Sequence, residues 1–429
     1  MVPLLVVWIQ AAAYTLTALD SEAPTSHRSL MTTAKRNVLL LAACQAIFIT
    51  GSSLVVSVSA LVGLDLAPDP RLATLPAGLL FLAAMTTTMP ASLLMQQIGR
   101  QRGFVIGVSV GGLGAALSSV AILAGSFPLF CLGSALLGVL AGIAQYYRFA
   151  AADAVDTAHR PRAISLVLAG GLLAAFLGPN LAAYSRDAVD GGQFVGSFAA
   201  FAALQIVALA LLFFLDLPLP SIEEQAGGGR PLGRLIRQPR YIVAVAAGVV
   251  AYATMSLLMT ATPLAMAERG FSFGATASVI QWHLVGMFAP AFVSGRLVER
   301  YGTARIMILG AVSLVASVLA SLAGATLWHF WIGLAALGVG WNFLFVAASS
   351  LLTQTYAPAE KAKAQGFNDL LVFGTVTCTA TLAGTLHDTF GWRAMNYGAL
   401  PAIGTLVCLV LWLAGRAAAA ETTPVAPSG

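Results

Sequence analysis

Charged residues are scarce in this sequence. Asp, Glu, Lys and Arg make up 9% of its 429 residues, against about a quarter in a typical soluble domain. Hydrophobic residues make up 59%. The composition therefore excludes a water-soluble protein, and with it a soluble enzyme.

Metal-binding and ATP-binding patterns are also missing. The sequence has four cysteines and five histidines, without the spacing of a metal site. Each cysteine falls in an apolar run, where Cys behaves as a small hydrophobic residue. The phosphate-binding pattern G-x-x-x-x-G-K-[ST] does not occur, so ATP is not the direct energy source. We expect no catalytic residue, no metal and no cofactor.

Long apolar runs are the dominant feature of the sequence. A helix needs about 20 apolar residues to cross the hydrocarbon core of a bilayer. Twelve such runs lie near residues 38–62, 73–95, 103–124, 128–152, 163–184, 194–215, 241–263, 274–294, 304–325, 328–352, 364–386 and 394–415. The sequence therefore predicts an all-α membrane protein with twelve transmembrane helices, surrounded by membrane lipid.

The positive charges predict how these helices are oriented. Lys and Arg concentrate in the loops on the cytoplasmic side of a membrane. If the first run starts inside, the outside loops contain only Arg71, Arg186, Arg269 and Arg393, and the other loop Lys and Arg lie inside. We therefore expect a multi-pass inner-membrane protein with both core termini in the cytoplasm. The net charge of +5 then reflects topology, and no nucleic-acid partner is expected.

The chain divides at its longest internal loop, which is rich in proline, glycine and arginine. We predict an N-terminal six-helix bundle over residues 37–215, a flexible cytoplasmic linker over 216–239 and a C-terminal six-helix bundle over 240–416. Residues 417–429 are predicted to form a disordered tail. Residues 1–36 are either a leader, with natural translation beginning at Met31, or an accessory apolar segment.

One loop motif occurs twice. Residues Gly295–Gly302 match the pattern G-x-x-x-[DE]-R-x-G, with Glu299 and Arg300 at the charged positions. A degraded copy lies in Ser92–Arg102, and its Gly99 precedes Gly302 by 203 positions. Basic segments before the fifth and eleventh runs show a similar offset of 201 positions. These offsets indicate two related halves in parallel orientation, an arrangement found in secondary transporters.

The duplicated loop, the twelve runs and the basic linker together resemble the major facilitator superfamily. The resemblance covers residues 36–416 and implies two six-helix bundles around a central cavity, which rock to open one side at a time. It places the following residues in cytoplasmic loops: Gly295, Glu299, Arg300 and Gly302 in the second half, and Gly99, Arg100 and Arg102 in the first. Gln96 and Gln97 stand where the family usually has an acid and an arginine, which weakens the charge relay of the first loop.

Polar and aromatic residues on the predicted cavity helices are candidates to bind the solute. They are Gln45, Thr50 and Ser53 in the first run, Gln145 and Tyr146 in the fourth, Tyr252 in the seventh, His283 in the eighth, and Trp341 and Asn342 in the tenth. Aromatic faces with few hydrogen-bonding groups suit a planar, largely neutral organic molecule.

Three ionisable residues within the apolar runs are candidates for gating or coupling, because charge is costly in the hydrocarbon core. Arg148 and Asp369 lie in helices that the resemblance brings together at the inner mouth, so we hypothesise that they pair when it closes. The alternative is that each finds separate water or backbone partners. His283 can exchange a proton near neutral pH, bind the solute, or bond a neighbouring helix.

We predict a secondary active transporter, not an enzyme, that moves a small organic solute by alternating access. Uptake of an aromatic or vitamin-like nutrient is slightly favoured by the aromatic cavity. The alternatives are a proton-coupled exporter of drugs or metabolites, and a non-transporting membrane sensor or scaffold. Protons are the candidate coupling ion, and a monomer is expected.

Overall fold

The computed structural model describes residues 28–69, 72–189, 192–226 and 228–422, and the regular elements in these ranges are helices. The helices are α1 Arg28–Leu66, α2 Leu75–Ile98, α3 Arg100–Leu123, α4 Phe127–Ala144, α5 Tyr147–Asp153, α6 Arg160–Ala169, α7 Gly171–Ser185, α8 Val195–Phe213, α9 Ile222–Ala226, α10 Leu232–Leu235, α11 Pro239–Ala267, α12 Phe273–Phe288, α13 Ala291–Tyr301, α14 Thr303–Ala323, α15 Leu327–Leu352 and α16 Lys361–Thr422. Short 3-10 helices, Thr157–His159 and Pro358–Glu360, precede α6 and α16.

Twelve membrane spans follow from these helices. Eleven stretches of the described chain are long and apolar enough to cross a membrane, and the last extends over 59 residues. It turns at Gly391, where φ is 76° and ψ is 168°, so it forms two spans. We number the spans in chain order. Seven spans are single helices: span 1 is α1, span 2 is α2, span 3 is α3, span 6 is α8, span 7 is α11, span 9 is α14 and span 10 is α15. Span 4 consists of α4 and α5, span 5 of α6 and α7, and span 8 of α12 and α13; spans 11 and 12 are the parts of α16 before and after Gly391.

The spans form two six-helix bundles, as the sequence predicted. Glycine allows close packing between the neighbouring spans 3 and 4, since a Cβ on Gly114 would lie 2.9 Å from the carbonyl oxygen of Gly133. The second bundle repeats this contact between spans 9 and 10, where a Cβ on Gly310 would lie 3.1 Å from the carbonyl oxygen of Gly340. Small residues therefore set the helix spacing in both halves.

Three spans are interrupted, although the sequence predicted continuous runs over 128–152, 163–184 and 274–294. Span 4 breaks at Gln145–Tyr146, span 5 at Gly170, and span 8 just before α13. Pro290 accounts for the last break, because proline lacks the N–H that continues a helix. At Gly170 the backbone passes directly against the Ala42 carbonyl of span 1.

The two bundles meet at the end of the molecule that carries the arginine-rich loops. We call this the basic end, and it comprises the loops around residues 99, 153–160, 214–238, 302 and 353–361. Here a Cβ on Gly295 of span 8 would lie 2.6 Å from the Arg162 Cα of span 5. Gly366 of span 11 likewise faces Met89 and Ser92 of span 2. The basic end is therefore closed in this structure.

The structure describes only part of the two end segments that the sequence predicted. The first span is part of a longer helix than expected, since α1 already begins at Arg28. The last helix extends to Thr422, past the predicted end of the bundle at residue 416. Residues 1–27 of the predicted leader (1–36) and residues 423–429 of the predicted tail (417–429) lie outside the described residues.

Packing of span 4 against span 2 gives a stability prediction. Gly138→Ala places a Cβ against the Leu80 carbonyl and 2.7 Å from the Ala83 Cβ. Overpacking of this kind costs about 1–3 kcal/mol, so we expect a lower unfolding temperature in detergent. Gly78→Ala is the matched control, because its Cβ has no neighbour within 4 Å among the described residues. Equal unfolding temperatures for the two variants would contradict this packing.

Candidate functional site

A buried ion pair joins the two bundles. The Arg148 guanidinium of span 4 lies 2.6 Å from the Asp369 carboxylate of span 11. The side chains are 2% and 0% exposed. Each charge alone in the hydrocarbon region would be costly, so each depends on the other for its stability.

Local structure orients both partners of this pair. The break in span 4 leaves the Gln145 carbonyl free to accept a hydrogen bond of 2.7 Å from Arg148 Nη1, and the Gln145 amide oxygen accepts another at 3.2 Å. On the other side, Asn368 Nδ2 donates to Asp369 Oδ1 over 2.8 Å. The Arg148 guanidinium carbon also lies 4.3 Å from the centre of the Phe149 ring. This cation–π contact further stabilises the charge.

Aromatic rings extend from the ion pair into the second bundle. Phe345 lies 4.6 Å from the Arg148 guanidinium carbon and stacks on Trp341 with ring centres 5.0 Å apart. Tyr252 meets both rings edge to face, at 5.0 and 5.2 Å. We call Arg148, Asp369, Tyr252, Trp341 and Phe345 the central cluster. Its flat faces and its two charges can bind a planar molecule that also hydrogen-bonds.

Three polar atoms of the central cluster are buried without a hydrogen-bond partner in the described structure. They are Arg148 Nε, Trp341 Nε1 and Asp369 Oδ2. The first two are donors and the third is an acceptor. Because buried polar atoms are normally paired, these three are candidates to bind polar groups of a solute.

Other predicted cavity residues lie in helix packing. The Tyr146 hydroxyl donates to the Thr88 carbonyl over 2.6 Å, and Asn342 Nδ2 donates to the Met287 carbonyl over 2.7 Å. His283 is fully buried, with Nδ1 2.8 Å from the Leu334 carbonyl of span 10. In span 1, Gln45 is buried, and Thr50 and Ser53 pack against Gly178 of span 5. The structure thus brings together Gln145, Arg148, Tyr252, Trp341 and Asp369. Tyr146 and Asn342 lie beside this group, but their polar atoms bond the backbone of neighbouring helices.

The residues of the loop motif lie at the basic end, and only some of them connect spans or bundles. Gly99 and Gly302 adopt the same backbone conformation, with φ near 90° and 81°, and each joins two spans directly. Glu299 crosses between the bundles to Arg162 over 2.6 Å. Arg300, by contrast, is exposed and lies over the ring of Tyr301, and Arg102 is exposed.

Further polar contacts connect the bundles beside this motif. Arg100 binds Asp153 within its own bundle and Gln365 of span 11, each over 2.8 Å. In the linker, Arg230 binds Glu360 over 2.7 Å, and this hydrogen bonding raises the pKa of the Arg230 guanidinium. These contacts add to the closure of the basic end.

Sequence reasoning missed some residues of the site. Phe345 stands four positions after Trp341, which places both on one face of span 10, so its position in the chain was a usable signal. Asn368 adjoins Asp369 and was equally visible. Phe149 adjoins Arg148, so its position was the same kind of signal.

Comparison with known proteins assigns the chain to a family. The model of the Major Facilitator Superfamily matches residues 41–289 and 244–428. The chain belongs to the Major Facilitator Superfamily. It is 42% identical to the riboflavin transporter RfnT of Brucella anthropi, over 91% of this chain and 99% of that protein.

Solved structures of other superfamily members share the fold. The human organic anion transporter MFSD10 matches with a TM-score of 0.74 at 15% identity, covering 88% of this chain and 99% of that one. The fucose:proton symporter FucP of E. coli matches with a TM-score of 0.69 at 14% identity, covering 89% and 99%. The predicted family, fold and transport function are confirmed: this superfamily member is a secondary transporter and not an enzyme.

The ion pair gives a prediction about stability. Arg148→Met or Asp369→Leu alone leaves one buried charge unpaired, and we expect a loss of about 3–5 kcal/mol. The double variant Arg148→Met with Asp369→Leu removes both charges and should lose less than either single variant. Unfolding of the purified variants in detergent measures this difference. If the double variant loses the sum of the two single losses, the two side chains are not energetically coupled.

Proposed function

We propose that this transporter imports riboflavin or a closely related flavin. The observation that carries the proposal is the central cluster, in which stacked aromatic rings adjoin a buried ion pair with unsatisfied polar atoms. The 42% identity to a riboflavin transporter supports the same solute. The sequence predicted an aromatic or vitamin-like nutrient, and flavins belong to that class.

The chemistry of a flavin fits the cluster. Its flat ring system suits the faces of Trp341, Phe345 and Tyr252. The pyrimidine edge of the flavin carries an N–H between two carbonyls, an acceptor–donor–acceptor pattern. Arg148 Nε and Trp341 Nε1 supply donors and Asp369 Oδ2 supplies an acceptor, which is the complementary set.

We further propose that the basic end faces the cytoplasm of a bacterial inner membrane. The excess of Lys and Arg in the loops of this end supports the orientation. Both core termini are then cytoplasmic, and the linker over 216–239 joins two bundles over 37–215 and 240–416. Because the twelve spans form both bundles of the carrier, a monomer suffices for transport.

Protons are the proposed coupling ion, and Asp369 is the proposed carrier of the proton. Its partner Arg148 belongs to the opposite bundle, so opening of the basic end separates the pair and exposes the carboxylate. His283 binds Leu334 within its own bundle and has no such partner to lose when the bundles move. This contrast supports a coupling role for Asp369 and a structural role for His283.

Flux into proteoliposomes tests the solute and the coupling. With a more acidic outside, we expect accumulation of radiolabelled riboflavin, and loss of that accumulation when a protonophore is added. One proton per solute and a gradient of one pH unit correspond to about tenfold accumulation, because 1.4 kcal/mol is a factor of ten. No movement of flavin, or exchange of cationic dyes for protons, would overturn the proposal.

Matched variants separate Asp369 from His283. Asp369→Asn keeps an oxygen that accepts from Arg148 but cannot ionise, so accumulation driven by the pH gradient should be lost. Exchange should continue at saturating riboflavin but with weaker affinity, because the amide NH2 replaces the acceptor Oδ2. His283→Asn keeps a donor for the Leu334 carbonyl and should retain that accumulation. If His283→Asn abolishes the pH-driven accumulation and Asp369→Asn does not, the assignment of the proton is wrong.

A further inference from the structure

The unusual glutamines of the first loop motif bind the linker. Gln96 Nε2 donates to the Glu224 carbonyl over 2.5 Å, and Gln97 Nε2 donates to the Gln225 carbonyl over 3.1 Å. Both acceptors lie in α9, the five-residue helix of the linker. The two residues that depart from the family pattern therefore dock α9 onto span 2.

The docked helix holds the Glu224 carboxylate in a fixed direction. Ser221 and Glu224 form a capping box, in which the Ser221 N–H donates to Glu224 Oε2 over 3.0 Å and the Glu224 N–H donates to Ser221 Oγ over 3.2 Å. The other oxygen, Oε1, is thereby left to face Lys361 Nζ at 2.5 Å. Folding of α9 thus decides where this carboxylate lies.

Lys361 belongs to the opposite bundle, at the start of span 11. Its ammonium lies between two carboxylates, Glu224 at 2.5 Å and Asp153 of span 4 at 3.4 Å. Beneath these groups is a cavity of about 410 Å³, lined by Ser92 and other residues of both bundles and by linker residues 217–221. The linker therefore covers a space that lies between the bundles.

The remainder of the linker is attached to the second bundle. Lys363 Nζ donates to the Gly228 carbonyl over 2.9 Å, and Arg230 is bound to Glu360. Residues 221–226 of the linker are thus held by the first bundle, and residues 228–230 by the second. Separation of the bundles at the basic end must pull Glu224 away from Lys361.

We propose that α9 is a clamp, in which Gln96 and Gln97 position Glu224 to hold Lys361 and keep the basic end closed. The linker thereby contributes an ionic contact between the bundles. The first loop motif, with Gln96 and Gln97 in place of an acid and an arginine, does not supply this contact itself. It has to release before solute can leave through this end. The role is independent of which solute the protein carries.

Chemical labelling of the covered cavity tests the clamp. In a variant without the four native cysteines, Ser92→Cys provides a buried reporter that reacts with a water-soluble maleimide when the basic end opens. Glu224→Gln removes the charge facing Lys361 but keeps the capping box, so we expect labelling to accelerate about fivefold. Glu223→Gln is the matched control, because Glu223 is exposed and has no partner among the described residues, and it should leave the rate unchanged.

A second pair of variants tests the docking glutamine. Gln96→Met removes the donor to α9 and should accelerate labelling, whereas Gln101→Met removes a similar hydrogen bond, to Leu212 within the first bundle, and should not. Because Gln96 acts through Glu224, the double variant Gln96→Met with Glu224→Gln should label no faster than the faster single variant.

Two results would overturn the clamp. Labelling of Glu224→Gln within twofold of Glu223→Gln would show that Glu224 does not hold the end closed. Multiplication of the two single effects in the double variant would show that Gln96 does not act through Glu224. The assay uses no solute, so failure of the flavin assignment would leave its result unaffected.

Discussion

The closed conformation depends on one constraint, which is that Arg148 and Asp369 have to meet within the hydrocarbon region. Neither side chain is more than 2% exposed, and the two come from different bundles. A charge without a partner at this depth costs several kcal/mol, so the basic end cannot open unless water or solute replaces the lost partner. The ion pair therefore makes solvation of the central cluster a condition of opening.

Weaker contacts lie between this pair and the surface. The side chains of Arg162 and Glu299 are 16% exposed, and those of Lys361 and Glu224 are 23% and 17% exposed. Exposure to water weakens an ion pair through screening, so the outer contacts separate more easily than the central one. This gradient allows closure to be lost stepwise from the basic end inward, with the contacts of Lys361, including the proposed clamp at α9, released before the central pair.

Hydropathy and charge predict the spans, the repeat and the two residues of the central pair. The length of an apolar run, and a charged residue within it, can both be read from local sequence. The rest depends on contacts between distant residues. Gln97 and its partner Gln225 are 128 positions apart, and nothing near either residue in sequence signals the other. The same holds for His283, whose bond to Leu334 follows from the packing of spans 8 and 10. Local pattern therefore identified Arg148 and Asp369 but gave no role to Gln96 and Gln97 beyond a weakened motif.

In the proposed cycle, solute and proton both lower the cost of breaking the attraction between Asp369 and Arg148. Solute groups at Asp369 Oδ2 and Arg148 Nε replace part of what each side chain loses when the pair separates. Protonation of Asp369 removes the charge–charge attraction and leaves a hydrogen bond from the Arg148 guanidinium to a neutral carboxyl, which lowers the cost of separating the bundles. A proton that enters from the end opposite the basic end would thus favour opening towards the basic end, where it can leave again. Ionised Asp369 would then reform the pair with Arg148 and close the basic end, so that the proton gradient sets the direction of the cycle.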